Sequence, residues 1–593
     1  MSTPTVADEI VRRLLEWGVD RIFGYPGDGI NGLVGALADA EWPRFTQARH
    51  EEMCALEAVG YAKFGGGVGV CLATSGPGAI HLLNGLYDAK LDHVPVVAIV
   101  GQAPRLALGG STMQEVDLTS LFKDVCSEYV IQASVPQQFP MVIDRAMRTA
   151  MATRSPTCVI VPADLQEEEY PGVGQALKSV PGSLGWLPPE VVAHDDDLRR
   201  VAAILNEGER VAILVGQGAR EAATEVLAVA DLLGAGISKA LLGKDVLPDE
   251  HPLVCGSIGL LGTKPSWDLM QGCDTLLMIG SSFPYTQFLP RYGDARGVQI
   301  DSSPHNIGLR YPMEVNLVGD AGATLRRLIP LLERKTDRSW QDDVRDGIRR
   351  WWEVLEAQAM VEADPVNPQR VLWELNPHLP DDAMIAADAG SIANWYARDL
   401  KIRDGMRCSL SGTLATMGAG VPYAIGAKFA HPDRPALALM GDGAMQMNGM
   451  AELLTVAKYW REWANPCFVC LVLNNGDLNE VTWELRAMGG HPRFEASQAL
   501  PPFDYARFAE SIGFLGIRVE SPDALSAAWA DALSAGRPAV IDVVTDPDVP
   551  PIPPHVTIDQ AKQLLHAIWK GDPDGADILR AGFKAKVQEL IHR

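Results

Sequence analysis

At 593 residues, 47% of them hydrophobic and 21% charged, the chain is long enough for three or four domains and apolar enough for several cores. Its formal charge of −24 excludes a phosphate-tracking nucleic-acid binder, which needs a basic surface, and disfavours electrostatic docking on anionic lipid. Nine scattered cysteines make no disulfide framework, and no apolar run approaches the ~18 residues of a membrane span. The first sixteen residues are amphipathic and partly acidic, without the apolar centre of a signal peptide. The expected location is therefore cytoplasmic, or at most peripheral at a membrane.

In chain order, residues 6–17 read as a helix and 21–23 as a strand running into Gly24-Tyr25-Pro26-Gly27. Arg49-His50-Glu51-Glu52 precedes an alanine-rich helix over 53–64, where acids at the start complement the helix dipole. Strands follow at 68–73, 94–100 and 159–161, and this alternation predicts a parallel sheet covered by helices. A proline- and glycine-rich connector over 171–189 ends the first domain near residue 182. The second domain, 190–332, has strands at 211–215, 275–279 and 298–300 and a helix at 221–233. Gly216-Gln217-Gly218 follows its first strand, but Glu221 replaces the third glycine of a dinucleotide fingerprint, which disfavours NAD. Residues 333–365 form a charged helical linker. The third domain, 366–547, has strands at 384–387, 436–440, 468–473 and 539–544, and the tail, 548–593, is largely helical after a proline-rich stretch. The fold class is α/β: three doubly wound parallel-sheet domains plus a helical tail.

Two strand ends in the third domain carry the chemistry. Gly441-Asp442-Gly443 closes one apolar run and Asn474-Asn475 the next. Glycines let the backbone turn its N–H groups toward a diphosphate, while Asp442 and Asn475 offer the few hard oxygens that Mg²⁺ prefers. Cys467 and Cys470 form a CxxC inside the second strand, and without a second pair they read as core packing.

This pair of strand ends resembles the metal and diphosphate motif of thiamine-diphosphate enzymes, with 30 residues between Gly443 and Asn474 and a small surplus around 458–466. Upstream, His50-Glu51, the GYAKFGG of 60–66, Thr74-Ser75-Gly76-Pro77-Gly78 and His93-Val94-Pro95-Val96 resemble the family's pyrimidine-binding domain, closest to the acetolactate synthase and pyruvate oxidase branch. The resemblance implies that Glu51 meets N1′ of the aminopyrimidine, where burial would raise a carboxyl pKa enough to share a proton. It puts Pro26, Gly27 and Ser75 at the cofactor. Thr413–Gly418 followed by Val421–Gly426 is similar to the segment beneath it, with Met417 as the wedge between the rings and Ala415 against the pyrimidine. Ser391, Gly441, Gly443 and Ala444 would face the diphosphate, and Asp442, Asn475 and the Asp477 carbonyl would hold the metal.

The central domain shows short segments in the family's flavin-binding order: Gly216 and Gly218, Gly259 in 256–262, Ser282 and Phe283 in 280–285, then Asp301 and Asp320. FAD is the implied third cofactor. Nine residues past Asn475 stands Glu484, as in the pyruvate oxidases, where acetolactate synthases have tryptophan. Glu480 and Met113 replace two of the oxidases' aromatics, whereas Gln114 keeps the position that bonds the substrate carboxylate. The implied function is decarboxylation of a small, pyruvate-like 2-oxo acid with oxidation by FAD and a quinone as final acceptor. The alternative is an acetolactate-synthase-like carboligase with structural or absent flavin. Family membership further implies an active site between subunits, hence a dimer or a dimer of dimers. Two apolar faces of the tail, Leu564, Leu565, Ile568 and Trp569, then Ile578, Leu579, Phe583, Val587 and Ile591, are expected to pack on the body or a neighbour, with a lipid surface as the alternative.

Overall fold

Three six-stranded sheets organise the chain, and every strand pairing within them is parallel. The computed structural model describes residues 3–65, 67–175, 178–551, 558–575 and 578. The first sheet is built from β1 (Arg21–Gly24), β2 (Arg44–Gln47), β3 (Gly69–Ala73), β4 (Val96–Gln102), β5 (Val130–Gln132) and β6 (Pro156–Pro162). The second holds β7 (Val211–Val215), β8 (Gly236–Lys239), β9 (Val254–Ser257), β10 (Thr275–Ile279), β11 (Arg296–Asp301) and β12 (Val315–Val318). The third holds β13 (Met384–Ala387), β14 (Arg407–Ser409), β15 (Ala436–Gly441), β16 (Phe468–Asn474), β17 (Leu515–Val519) and β18 (Ala539–Val544).

The outer two sheets share one topology, β2-β1-β3-β4-β6-β5 and β14-β13-β15-β16-β18-β17. The middle sheet runs β12-β11-β10-β7-β8-β9, the order of the dinucleotide-binding fold with its switch point between β10 and β7. The apolar runs became strands because both sheet faces are covered. Every residue of β3, β4, β6, β7 and β10 is buried, as expected of a parallel sheet under helices. The expected 221–233 helix begins later, at Ala223, behind a 3₁₀ turn over Gln217–Ala222.

First and third domains share a core along the helices Glu51–Gly65 and Gly420–Ala430. Their axes approach closely because glycines face across the contact. A Cβ on Gly60 would lie 2.6 Å from the Tyr423 Cα, and one on Gly426 would lie 2.3 Å from the Glu57 carbonyl oxygen. Lys63 closes this seam by donating to Asp92 (2.7 Å), the Leu410 carbonyl (2.7 Å) and the Tyr423 hydroxyl (2.9 Å). The surplus before β16 forms a 3₁₀ turn, Trp460–Glu462, after the helix Met450–Tyr459. It adds aromatic packing of Trp463 on Phe429 and Phe468, while the Tyr459 hydroxyl accepts from the Gln47 amide at the end of β2.

The central domain is tied to the third by buried charges. Asp249 accepts from Lys239 (2.6 Å), Lys244 (3.0 Å) and the Ile402 amide (2.8 Å), and Asp245 pairs with Arg220 and Arg407. All nine cysteines are free thiols, and Cys470 is buried within β16 as packing. No helix among the described residues is long and apolar enough to cross a membrane. The tail helix Ile558–Trp569 packs on the helix Asn479–Ala487, yet Leu565 and Trp569 remain 57% and 82% exposed. Of the second expected face, Ile578 is buried, while Leu579, Phe583, Val587 and Ile591 lie outside the described residues.

Candidate active site

Strands β15 and β16 are neighbours in register, Gly441 opposite Leu473, so their C-terminal turns lie side by side. Asp442 is only 3% exposed and is held by backbone amides alone. Its Oδ1 accepts from Gly443 (2.9 Å), and its Oδ2 from Asn475 (2.9 Å) and Gly476 (2.6 Å). It has no cationic side-chain partner among the described residues. Burial therefore pushes its carboxyl up to about 7 against the pull of those amides. A buried carboxylate without counter-charge, accepting from the Asn475 backbone amide at the neighbouring strand end, has the chemistry of a divalent-cation seat, so the residues present fit Mg²⁺. The Asn475 Oδ1 accepts from the Asp477 amide (3.0 Å), and the Asp477 carboxylate is turned away to Arg493 (3.0 Å). Ala444 is buried in the turn Asp442–Ala444, which continues into a π-helical segment, Met445–Gly449.

A second buried acid shapes the adjoining wall. Asp388, at the end of β13, accepts from the amides of Ala389 (2.9 Å), Gly418 (2.9 Å) and Gly420 (2.8 Å), and burial raises it to about 6. It thereby stitches the turn before Ser391 to the loop that carries Ala415 and Met417. Ala415 is held at φ +55°, and the Met417 sulfur would lie 3.8 Å from a Cβ on Gly443. The structure thus brings Met417 to the Gly441–Gly443 turn. Asp388, three residues before Ser391, has an organising role that sequence reading missed, because Gly418 and Gly420 lie about thirty residues away.

In the first domain Glu51 starts its helix, 8% exposed, and its Oε2 lies 2.9 Å from Nδ1 of His81. His50 packs against His81 with ring centroids 4.4 Å apart and the rings tilted by 32°. Ligand atoms of His50, Glu51 and His81 all fall within 4.8 Å of one another. Sequence reading missed His81, since a histidine in the helix Pro77–His81 carries no signal of its own. Gln114 is brought to the same rim: the Ser75 hydroxyl donates to its Oε1 (3.1 Å), and its backbone is held at φ +62°. A non-glycine residue in that region marks stored strain of the kind found at functional sites. Pro26 and Gly27 follow β1 beside this turn, where a Cβ on Gly27 would lie 2.6 Å from Thr74. Met113 is 78% exposed. No described contact joins Glu51 directly to Asp442 or Asn475.

Glu480 and Glu484 occupy successive turns of the helix Asn479–Ala487. Glu480 accepts from the Asn394 side-chain amide (2.8 Å), and Arg398 donates to the Asn394 Oδ1 (3.1 Å). Burial first, and then the Glu484 charge, raise the Glu480 carboxyl to about 7. Glu484 itself is exposed. At neutral pH Glu480 is therefore divided between acceptor and donor forms, which an aromatic residue there could not offer. Asn394 and Arg398 were invisible to sequence reading because they come from another element, the helix Ser391–Arg398.

In the central domain the amides of Gly216 and Gly218 are already given to the carbonyls of Ile279 and Gly280. A Cβ on either would meet the Gly280 backbone, so their glycine character serves the close approach of the β7 and β10 ends. Gly259 sits at φ +112° under the Phe283 ring, with half-buried Ser282 beside it. Asp320 caps the helix Ala321–Leu328 by accepting from the Ala323 amide (2.7 Å). Asp301, at the end of β11, is 6% exposed with no ion pair among the described residues, and burial raises its pKa. His93 and Arg154 of the first domain are close enough to act on its charge.

Three parallel sheets under helices, with a buried carboxylate at the strand ends of one and another at a helix start of a second, define the class: a three-domain α/β protein of the kind that binds ligands at the carboxyl ends of its strands. Residues 4–121 match the thiamine pyrophosphate enzyme N-terminal TPP binding domain, 198–328 its central domain, and 388–543 its C-terminal TPP binding domain. The chain is 37% identical to YdaP of Bacillus subtilis, whose name assigns it thiamine pyrophosphate, over 95% of both chains. It is 30% identical to pyruvate oxidase of Lactiplantibacillus plantarum, over 92% of this chain and 90% of the relative. With the acetolactate synthase large subunit of Corynebacterium glutamicum the identity is 31%, over 92% and 87%. The chain belongs to the thiamine pyrophosphate enzyme family, and its first and third domains are thiamine-diphosphate-binding domains.

Proposed function

We propose that this enzyme decarboxylates a small, pyruvate-like 2-oxo acid with thiamine diphosphate and Mg²⁺, and that FAD in the central domain takes up the electrons. The observation that carries the cofactor reading is the buried Asp442 carboxylate, which has no counter-charge among the described residues and accepts only from the amides of Gly443, Asn475 and Gly476. Asp442, Asn475 and the Asp477 carbonyl would hold the metal, and Ser391, Gly441, Gly443 and Ala444 would line the diphosphate. When bound, thiamine diphosphate supplies the electron sink for the carbanion that loss of CO₂ leaves behind. Glu51 is the residue that would keep a proton at the aminopyrimidine N1′, and His81 fixes which oxygen it presents. Met417 and Ala415 form the apolar support, and Gln114, strained and anchored on Ser75, would orient the substrate carboxylate. Glu480, titrating near neutrality, would exchange a proton with the reacting acid, with Glu484 behind it.

The central domain would take a nucleotide through its strand order and Asp301, since the amides of Gly216 and Gly218 and the Asp320 carboxylate are already bonded within the fold. The strand order reverses between β10 and β7, where folds of this order bind nucleotides, and the buried Asp301, whose Oδ1 accepts from the Ser303 amide (2.8 Å), would offer its other oxygen to a ribose. Flavin would supply the two-electron acceptor, and a quinone is the further acceptor in this reading. A second copy of the chain is proposed to complete the site, because Glu51 and Asp442 belong to different domains without a direct contact. The exposed Leu565 and Trp569 leave the tail able to touch a neighbour or a lipid surface.

A carboligase is the second reading, favoured by Glu480, a polar residue bonded to Asn394 where the oxidases carry an aromatic. An anaerobic absorbance spectrum of protein loaded with thiamine diphosphate and Mg²⁺, before and after pyruvate, separates the two. Near-stoichiometric bleaching of a flavin band supports oxidation. An unchanged band, or a colourless protein that makes a carboligation product, overturns it.

A further inference from the structure

Lys401, in the loop after the helix Ser391–Arg398, has an unusual environment apart from the candidate cofactor residues. Its backbone is pinned, its amide donating to Asn376 (2.8 Å) and the next amide, Ile402, to Asp249 (2.8 Å). Its ammonium lies 4.6 Å from the ring centroid of Trp352 and 5.0 Å from that of Trp373. Trp352 comes from the linker helix Ser339–Ala359 and Trp373 from the helix Pro368–Leu375, and the two rings form a wedge with centroids 6.3 Å apart at 45°. Trp351 turns inward to the core, so the tandem tryptophans of an amphipathic helix split between packing and this wedge.

The wedge opens into a surface depression of about 400 Å³ that is also lined by Ile348, Arg349, Glu250, Glu353 and Glu356. Glu353 is taken by Arg349 (3.0 Å), whereas Glu250 and Glu356 have no ion-pair partner among the described residues. Lys401 likewise makes no ion pair among them, although three carboxylates line the same depression. Two indole faces thus hold a cation that the nearby acids do not, which is the chemistry of an ammonium receptor: negative π faces with an acidic rim.

We propose that Trp352, Trp373, Glu250 and Glu356 form a binding site for a small organic ammonium ion, with Lys401 as its internal occupant. A free alkylammonium displaces the Lys401 head group, which moves out to water on its flexible stem. The walls come from the central domain, the linker helix and the third domain, so occupancy ties these three parts together. Charge complementarity commits the site to a cation: Arg349 is taken up by Asp346 and Glu353, a neutral isostere loses the attraction of the rings, and an anion meets Glu250 and Glu356, which have no ion-pair partner among the described residues.

The test is a calorimetric titration of the cofactor-loaded protein with choline and, separately, with its neutral isostere 3,3-dimethylbutan-1-ol, at matched chloride. Choline should bind, and the isostere should bind at least about tenfold more weakly. A tethered competitor acts at millimolar effective concentration, so Lys401→Ala should tighten choline binding by roughly tenfold. Glu356→Gln, an exposed change that spares folding, should weaken it several-fold, and Trp373→Leu should abolish it. Equal affinity for the isostere, no binding even in Lys401→Ala, or no change on Lys401→Ala would each overturn the proposal. None of these results depends on which 2-oxo acid the enzyme uses.

Discussion

Arg486 lies in the helix that carries Glu480 and Glu484, is itself 1% exposed, and forms the hinge between that helix and the tail. Its Nε and one Nη donate to the two oxygens of Asp572 at 2.9 Å each, and the same Nη reaches Asp574 at 2.6 Å. Burial pushes the Asp572 carboxyl up, but the Arg486 guanidinium and the Arg493 amide overcome this and hold it below the usual carboxylate range. Replacing Arg486 by Met keeps the apolar stem and strands both acids. Breaking a buried pair by removing one partner costs about 3–5 kcal/mol. The tail helix Ile558–Trp569 belongs to no sheet and can open without unfolding one, so this cost should appear as local release. About 3 kcal/mol corresponds to a roughly hundredfold larger opening constant. Amide hydrogen exchange across Ile558–Trp569 reads it directly: protection should fall by about two orders of magnitude while β15 and β16 stay protected. Arg486→Met combined with Asp572→Asn and Asp574→Asn should restore much of the protection. Exchange in the tail within threefold of the parent would refute the clamp. A depressed carboxyl contributes stability above its unfolded pKa that is lost as pH falls through the folded value, so the parent tail should also loosen selectively below about pH 4.

Gly426→Val places side-chain atoms against the Glu57 carbonyl and should cost about 2–3 kcal/mol or more, read as a lower thermal midpoint in the cofactor-free protein. An unchanged midpoint would mean that the first and third domains separate without penalty. Glu480, raised from 4.5 to about 7, favours the folded state most fully below pH 4.5, and that contribution is lost as pH rises through about 7. The stability of the parent relative to Glu480→Gln should therefore decline between pH 5 and 8, by no more than about 3 kcal/mol, and a flat difference would refute the shift. His81→Ala frees the Glu51 carboxylate to rotate and should slow turnover by about 10–100-fold with the midpoint unchanged. His81→Asn, which can donate to the same oxygen, should recover part of the rate. Loss of thermal stability in His81→Ala, with turnover per folded molecule intact, would make the contact structural instead.

Local chemistry made much of this protein legible from one sequence. The runs at 211–215, 275–279 and 539–544 became strands because a parallel sheet buried on both faces demands unbroken apolar segments. Gly441-Asp442-Gly443 and Asn475 were legible because a sharp turn beside a hard oxygen leaves glycine, carboxylate and amide as its trace. Tertiary structure alone decided the contacts between residues far apart in the chain. Strand order, with outer sheets of one topology around a nucleotide-type middle, follows from crossovers that no window of sequence contains. The Glu51–His81 bond spans 30 positions, Asp388 reaches forward to Gly418 and Gly420, and Arg486 to Asp572 spans 86. Gly216 and Gly218, read as nucleotide contacts, give their amides to neighbouring carbonyls, and Asp320 serves as a helix cap. The sequence by itself determined which residue types stand at each turn, because backbone geometry and periodicity are local. Which of those groups are buried, paired or left without a counter-charge was decided only when the three sheets packed together, because desolvation and hydrogen bonding depend on neighbours brought in from elsewhere.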